Sequence, residues 1–135
     1  MDIKVRVPRW AGRGFAVSIN GKPEKIKAVP GTYLTLSRTW RNKDVIDIRM
    51  SLGFSLDPVV DRPNLAAIMY GPVLLAAEES GPRTDWRPVS LDLGDIGRSI
   101  VGDPAALRFT AGDAVLKPFF ETYGRYSVYL AVKRP

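Results

Sequence analysis

Hydrophobic and polar residues alternate along much of the first fifty positions of the chain. In the segment "DIKVRV" (2–7), Ile3, Val5 and Val7 fall on one side and the charged residues on the other. A period of two is typical of a half-buried β-strand. The same alternation recurs in "GFAVSIN" (14–20), "TYLTLSRTW" (32–40) and "VIDIRM" (45–50). Because no apolar stripe of helical period persists for four turns, the pattern predicts an all-β protein.

Turn signals separate these segments at intervals of about ten residues, as in antiparallel sandwiches. Asn20-Gly21 favours a tight hairpin, and "EKIKAV" (24–29) is the predicted returning strand, with Lys25 and Lys27 outward. The sequence therefore predicts an antiparallel β-sandwich of the jelly-roll type.

The second half of the chain is less regular. "LAAIMYG" (65–71) and "VLLAA" (73–77) are continuous apolar runs, which favour strands covered on both faces. Between 78 and 104 the periodicity lapses, so we expect a long irregular connection. Asp103-Pro104 predicts at most one short helical turn, and strand patterns return from 107 onwards. These features predict a single domain over residues 1–135.

Composition narrows the possible chemistry. The 135 residues include no cysteine and no histidine, which removes the usual thiolate nucleophile and the usual zinc ligands. The longest apolar stretch (65–77) is broken by Gly71 and Pro72 and is too short to span a bilayer, so no membrane partner is expected. The first strand pattern starts at the second residue without an apolar leader, which favours a piece of a longer protein.

The positive charge is concentrated near the N-terminus. Residues 1–50 carry eleven Lys and Arg against four Asp and Glu, whereas the remainder carries nine against ten. Phosphate binding would use such a face. A solvated outer sheet face, with Lys4 and Arg6 among its cations, accounts for the excess more simply. We therefore expect no nucleic-acid partner.

A carboxylate among aromatic rings in "KPFFETYGRYSVYL" (117–130) raises the question of glycosidase chemistry, which requires a pair of carboxyl groups. Glu121 is the candidate, but the other glutamates lie in turn-like or loop-like settings that place none opposite it. We interpret Glu121 as an ion-pair partner of Arg125 or Lys117 at a bend. No catalytic residue and no metal ligand is predicted.

Exposed aromatic rings can stack on sugars, although rings at strand ends more often pack against a core or an interface. Trp86, Tyr123 and Tyr129 are the predicted substrate-binding residues. The predicted structural or domain-interface residues are Trp10, Trp40, Phe119, Phe120, Glu121, Arg125 and Tyr126.

The order of several motifs resembles the C-terminal β-sandwich region of the DUF1680 proteins, the glycoside hydrolase family typified by β-L-arabinofuranosidase. The motifs are "IKVRVPRWA", "VSINGKP", "GTYLTLSRTWRNKDVIDIRM", "AIMYGPVLLAA" and "LKPFFETYGRYSVYL". The chain departs from the family pattern at Tyr123-Gly124, where relatives often have a histidine-containing turn, and at Leu130, where a tryptophan is common.

The resemblance implies a larger parent enzyme with a preceding catalytic (α/α) barrel, which carries a zinc site with a cysteine nucleophile and a glutamate ligand. No position of this chain can take over the nucleophile, so no cofactor is expected here and zinc is expected only in the absent catalytic domain. The expected function is a non-catalytic accessory domain whose partners are that barrel and plant-type glycans. The alternatives are a carbohydrate-binding module and a self-sufficient carboxylate-based hydrolase.

Overall fold

The structure is a computed structural model that describes residues 1–134. It contains fourteen β-strands and three short 3-10 turns, which confirms the all-β prediction. Within the described residues, no helix is long and apolar enough to cross a membrane. The chain divides into two compact units, Met1–Leu52 and a second unit that begins at Gly53.

The first unit consists of two small antiparallel sheets. Its five strands are β1 (Asp2–Arg6), β2 (Ala16–Ile19), β3 (Lys22–Pro23), β4 (Tyr33–Ser37) and β5 (Ile46–Arg49). One sheet pairs β1 with β4, and the other has the order β3-β2-β5. The buried side chains include Val7, Val17, Ile19 and Leu36. These lie on the faces that the alternating pattern predicted.

Asn20 and Gly21 both have positive φ angles, 52° and 76°, as a tight hairpin turn of this kind requires. The predicted returning strand over 24–29 does not form, because only Lys22 and Pro23 pair with β2. Pro23 has no N–H to donate to the sheet, which weakens the pairing at this edge. Lys25 and Lys27 are nevertheless exposed, as predicted.

The second unit is built around one nine-stranded sheet, which is curled and mixed. Its strands are β6 (Phe54–Val59), β7 (Arg62–Tyr70), β8 (Val73–Glu79), β9 (Arg87–Ser90), β10 (Val101–Asp103), β11 (Arg108–Ala111), β12 (Ala114–Pro118), β13 (Arg125–Ser127) and β14 (Tyr129–Lys133). The main order is β10-β11-β12-β8-β7-β14-β9. All pairs are antiparallel except β9 and β14, which run parallel.

The last strands bridge the two arms of the β7–β8 hairpin. Strand β13 pairs with the end of β8, through Arg125 opposite Glu79. After Val128, strand β14 pairs instead with the first half of β7, through Leu130 opposite Ala66. The C-terminal segment therefore pairs first with β8 and then with β7.

The core of the second unit lies on this sheet. Its largest fully buried side chains include Ile68, Leu75, Leu91, Leu116 and Leu130. Phe109 is 3% exposed, and its ring centroid lies 5.0 Å from that of Phe54 and 5.1 Å from that of Tyr70. These three rings form the aromatic part of the core, whose edge-on and tilted contacts are favourable for aromatic rings.

The segment 78–104, predicted to be irregular, is more ordered than its composition indicated. It contains the end of β8, all of β9 and β10, and a 3-10 turn at Ile96–Ser99. Asp103 does not begin a helical turn; its carboxylate accepts a hydrogen bond from the Ala105 N–H just after β10. Short Asx turns of this kind compete with helix formation at Asp residues. The other 3-10 turns are Arg9–Ala11 and Phe119–Glu121, so there are three turns where at most one was predicted.

Candidate functional site

A pocket of about 580 Å³ lies in the second unit, beside the junction between β13 and β14. Glu79 at the end of β8 forms one part of its lining. The loop 81–86 that follows β8 and the segment 124–129 form the rest. Volumes of this size are typical of small-molecule sites. We take this pocket, called the β8–β14 pocket below, as the candidate functional site.

The Glu79 carboxylate accepts three hydrogen bonds. Its Oε1 accepts from Arg83 Nε at 3.1 Å and from Ser127 Oγ at 2.7 Å, and its Oε2 accepts from Arg87 Nη1 at 2.7 Å. These donors come from the loop, β9 and β13, so one carboxylate connects three segments around the pocket. A buried charge satisfied in this way rigidifies its surroundings.

Burial of the Glu79 carboxylate would by itself raise its pKa. The hydrogen bonds from Ser127 and Arg83, together with the nearby charges of Arg87 and Arg83, outweigh the burial and lower the pKa below its usual value of 4.5. Glu79 is therefore ionised near neutral pH and holds no proton to give to a substrate. This state does not suit a general acid in glycoside hydrolysis.

Arg87 is the buried charged residue that anchors the start of β9. Besides Glu79, its Nη2 donates to the backbone oxygen and the carboxylate of Asp113, both at 3.1 Å. Its Nε is buried without a hydrogen-bond partner among the described residues. The guanidinium thus ties β9 to the β11–β12 turn, where Asp113 lies.

Trp86 and Tyr129 both belong to the pocket lining. In the parallel pair of β9 and β14, Arg87 is opposite Leu130, so Trp86 and Tyr129 are the residues immediately before this pair on each strand. Arg87 and Leu130 are both buried, whereas Trp86 is 53% and Tyr129 45% exposed. Since successive residues point to opposite faces, both rings lie on the outer face of adjacent chain segments.

The other residues of the C-terminal stretch divide between the pocket and the surface. Arg125 and Tyr126 line the pocket, although they were predicted as structural or interface residues. Tyr123 was predicted to bind substrate, but it does not line the pocket and is 92% exposed. The structure therefore brings Trp86 and Tyr129 together and leaves Tyr123 outside.

The aromatic rings of the stretch 117–130 lie outside the core of the second unit. Phe119, Phe120 and Tyr126 are all exposed, with Phe120 at 63%. Phe119 and Tyr126 contact each other edge to face, at 5.3 Å between ring centroids. Core positions in this stretch go to Leu130 and to Pro118, which are buried.

Glu121 forms an ion pair, but its partner is not one of the two that were predicted. Its carboxylate accepts from Arg108, not from Arg125 or Lys117, and both side chains of this pair are partly exposed. Lys117 instead pairs with Glu78. Arg108 lies on β11, which the local sequence around Glu121 gives no means of identifying as a neighbour.

The other two tryptophans belong to the first unit and are half-buried. Trp10 lies in the 3-10 turn Arg9–Ala11. Trp40 donates from its indole N–H to the Met1 carbonyl oxygen at 2.9 Å, and the Arg38 guanidinium lies 5.3 Å from its ring centroid. Neither residue lines the β8–β14 pocket, where Trp86 is the tryptophan present.

Sequence reasoning missed Glu79, Arg87 and Ser127 as a connected group. Glu79 was placed in an irregular setting, but it lies on the same face of β8 as Leu75 and Ala77, two fully buried residues. A carboxylate at the end of a core-facing row requires a buried cationic partner. That signal was present, whereas the identity of Arg87 as the partner depended on the sheet order.

The described residues contain no group of three or more acidic, histidine or cysteine side chains that could hold a metal ion. Zinc sites in proteins use thiolate, imidazole and carboxylate ligands. The chain has no thiol and no imidazole. Its residues do not fit the zinc site that the family resemblance implies for the parent enzyme.

Comparison with solved structures defines the class of fold. A structure described as a glycoside hydrolase matches with a TM-score of 0.71 and 19% identity over 98% of this chain. A GH127 beta-L-arabinofuranosidase from Geobacillus stearothermophilus T6 matches with a TM-score of 0.68 and 16% identity over 98% of this chain. A GH127 beta-arabinofuranosidase gives 0.62 and 18% over the same share. The chain therefore has the fold of a β-domain region found in glycoside hydrolases.

A family model matches the first unit. Residues 1–52 match the family model described as "Beta-L-arabinofuranosidase, GH127 middle domain". The resemblance to the β-L-arabinofuranosidase family is thus confirmed, although the model names a middle domain where the motifs resembled a C-terminal region. Comparison with curated proteins finds no match. The chain spans 28%, 26% and 28% of the three solved chains.

Proposed function

We propose that this chain is a non-catalytic accessory β-domain region of a β-L-arabinofuranosidase-like glycoside hydrolase, and that it packs on the catalytic (α/α) barrel of the same parent chain. The observation that carries the proposal is the match of residues 1–52 to the GH127 middle domain, in a chain that spans about a quarter of the related solved chains. The zinc site of the parent is assigned to the barrel.

The chemistry of the described residues supports a non-catalytic role. Glu121 is engaged by Arg108, and the ionised Glu79 is held by three donors. Neither carboxyl group is poised as a proton donor beside a second free carboxylate, which hydrolysis of a glycosidic bond requires.

The surface supports packing on another domain. Four aromatic residues, here called the 119–126 aromatic surface, are exposed within eight positions: Phe119, Phe120, Tyr123 and Tyr126. Exposed aromatic groups of this kind mark interaction sites more often than they decorate a free surface. The barrel of the parent is the occupant that the family match favours.

Two measurements test this function. The purified chain should release no product from an aryl β-L-arabinofuranoside, and turnover that disappears in Glu121→Gln would contradict the proposal. In the intact parent, Phe120→Ala should lower the thermal stability of the barrel and its activity after heating. Tyr33→Ala, an exposed aromatic residue of the first unit, is the matched control and should leave both unchanged. If neither variant affects the barrel, the 119–126 aromatic surface is not the contact.

A further inference from the structure

We propose that the β8–β14 pocket binds one ring of a neutral carbohydrate, with Trp86 and Tyr129 as the stacking platform and Asp85 and Arg125 as hydrogen-bonding groups. This inference goes beyond the accessory role, since a domain can pack on a barrel without any ligand of its own. It also differs from a catalytic role, because the Glu79 carboxylate in the pocket lining is already engaged by three donors.

The aromatic pair provides the apolar part of the site. Trp86 and Tyr129 occupy equivalent positions on adjacent parallel segments, immediately before the paired residues Arg87 and Leu130. Both side chains line the same pocket, so one sugar ring bound there could contact both of them. Tyr129 is held at the surface by β14, and Trp86 is the last residue of the loop 81–86, directly before β9. Aromatic faces pack well against the C–H groups of such a ring through dispersion.

The polar part of the site has unused hydrogen-bonding capacity. Asp85 and Arg125 line the pocket, and within residues 1–134 neither side chain makes a hydrogen bond or an ion pair. The Trp86 indole N–H and the Tyr129 hydroxyl are also free of partners among these residues. Together these groups offer both donors and acceptors, which matches the hydroxyl groups of a sugar.

The charges of the pocket favour a neutral ligand over a charged one. The ionisable lining groups are Glu79, Asp85, Arg83 and Arg125, so two negative and two positive charges are present. Glu79 is saturated by three donors, and Arg83 is one of them. An anionic ligand would meet Asp85 and a cationic ligand would meet Arg125. Neither therefore gains from the net charge of the site.

The part of the pocket lining around Glu79 is held in place by hydrogen bonds. Ser127 and Arg83 reach the pocket side of Glu79 from two different segments, and Arg87 holds the same carboxylate from β9. This arrangement preorganises the segments that carry Trp86 and Tyr129. A preorganised site loses less conformational entropy when it binds a ligand.

The test is a titration of the full chain with neutral disaccharides of arabinose, galactose and glucose. Binding is measured by calorimetry and by tryptophan fluorescence. At least one should bind with a Kd of about 1 mM, as expected for contacts to a single sugar ring. Trp86→Ala should weaken that binding about tenfold, the effect of losing one aromatic contact. Phe120→Ala, which removes an exposed ring outside the pocket, should leave the Kd unchanged.

A second variant separates an effect on binding from a loss of folding. Arg125→Gln changes an exposed side chain, should keep the circular dichroism spectrum and melting temperature, and should still weaken binding. The proposal is overturned if no neutral disaccharide binds with a Kd below about ten times the expected value. It is also overturned if Trp86→Ala and Arg125→Gln bind as the unmodified chain does, or if galacturonate binds more tightly than galactose. These outcomes are independent of whether the domain packs on a barrel.

Discussion

Arg87 donates from Nη1 to Glu79 Oε2 at 2.7 Å, and the side chains are only 9% and 6% exposed. The two residues are eight positions apart along the chain and lie on different strands, β9 and β8, which are not neighbours in the sheet. The ion pair therefore spans the region where β13 and β14 pass between them. Since Glu79 lines the β8–β14 pocket, the ion pair connects the pocket lining to β9.

Glu79→Gln should destabilise the second unit by about 3 kcal/mol, because it removes the buried one of the two carboxylates that pair with the Arg87 guanidinium. Chemical denaturation monitored by circular dichroism measures this change. Glu121→Gln is the matched control, since its pair with Arg108 is partly exposed and should contribute at most about 1 kcal/mol. Equal losses in the two variants would contradict the buried ion pair.

The lowered pKa of Glu79 makes stability depend on pH in a defined direction. The unfolded chain binds a proton at a higher pH than the folded chain does, so the stabilisation is present above the unfolded value of 4.5. It is lost as the pH falls through the lower folded pKa. We expect the free energy of unfolding to decrease as the pH falls below about 4.5, and to decrease less in Glu79→Gln. Identical pH profiles for both proteins would argue against this pKa shift.

Phe109→Ala should cost about 3 to 5 kcal/mol of stability, the usual loss for a buried aromatic ring. The ring contacts Phe54 and Tyr70 in the core, so its removal would leave a cavity that solvent does little to stabilise. Phe120→Ala should change the stability of the chain by less than about 0.5 kcal/mol, because its ring is exposed. Thermal melting of both variants gives the comparison, and a Phe120→Ala protein that melts as early as Phe109→Ala would refute the assignment of the core.

Asn20→Ala should destabilise the first unit by about 2 kcal/mol. The Asn20 side chain donates to Asp44 and accepts from the Val45 N–H, both at 2.8 Å, and its φ of 52° disfavours alanine. Asn42→Ala, at an exposed asparagine without a side-chain hydrogen bond within the described chain, is the control. Hydrogen exchange of the Val45 amide should accelerate only in Asn20→Ala. Unchanged protection of that amide would contradict a stabilising role for the Asn20 side-chain hydrogen bonds.

Local sequence determined the strands whose patterns are strongest. The alternation of Ile3, Val5 and Val7 predicted the buried face of β1, because a strand has only two faces and one of them must leave water. The Asn20-Gly21 hairpin followed from a backbone conformation that few residue types adopt. The candidate residues Trp86 and Tyr129 were also identified from the chain, as rings that could stack on a sugar.

Tertiary structure decided which of these residues meet. The sequence could not show that Trp86 and Tyr129 are neighbours, because their proximity depends on the parallel register of β9 and β14. It could not show that Glu121 pairs with Arg108, since a carboxylate has no means of selecting among several arginines until the sheet order places one beside it. Burial is likewise a property of the assembled sheet, which is why Phe120 remained exposed while Phe109 entered the core. Periodicity fixes the two faces of a strand, whereas the order of the strands fixes what each face touches.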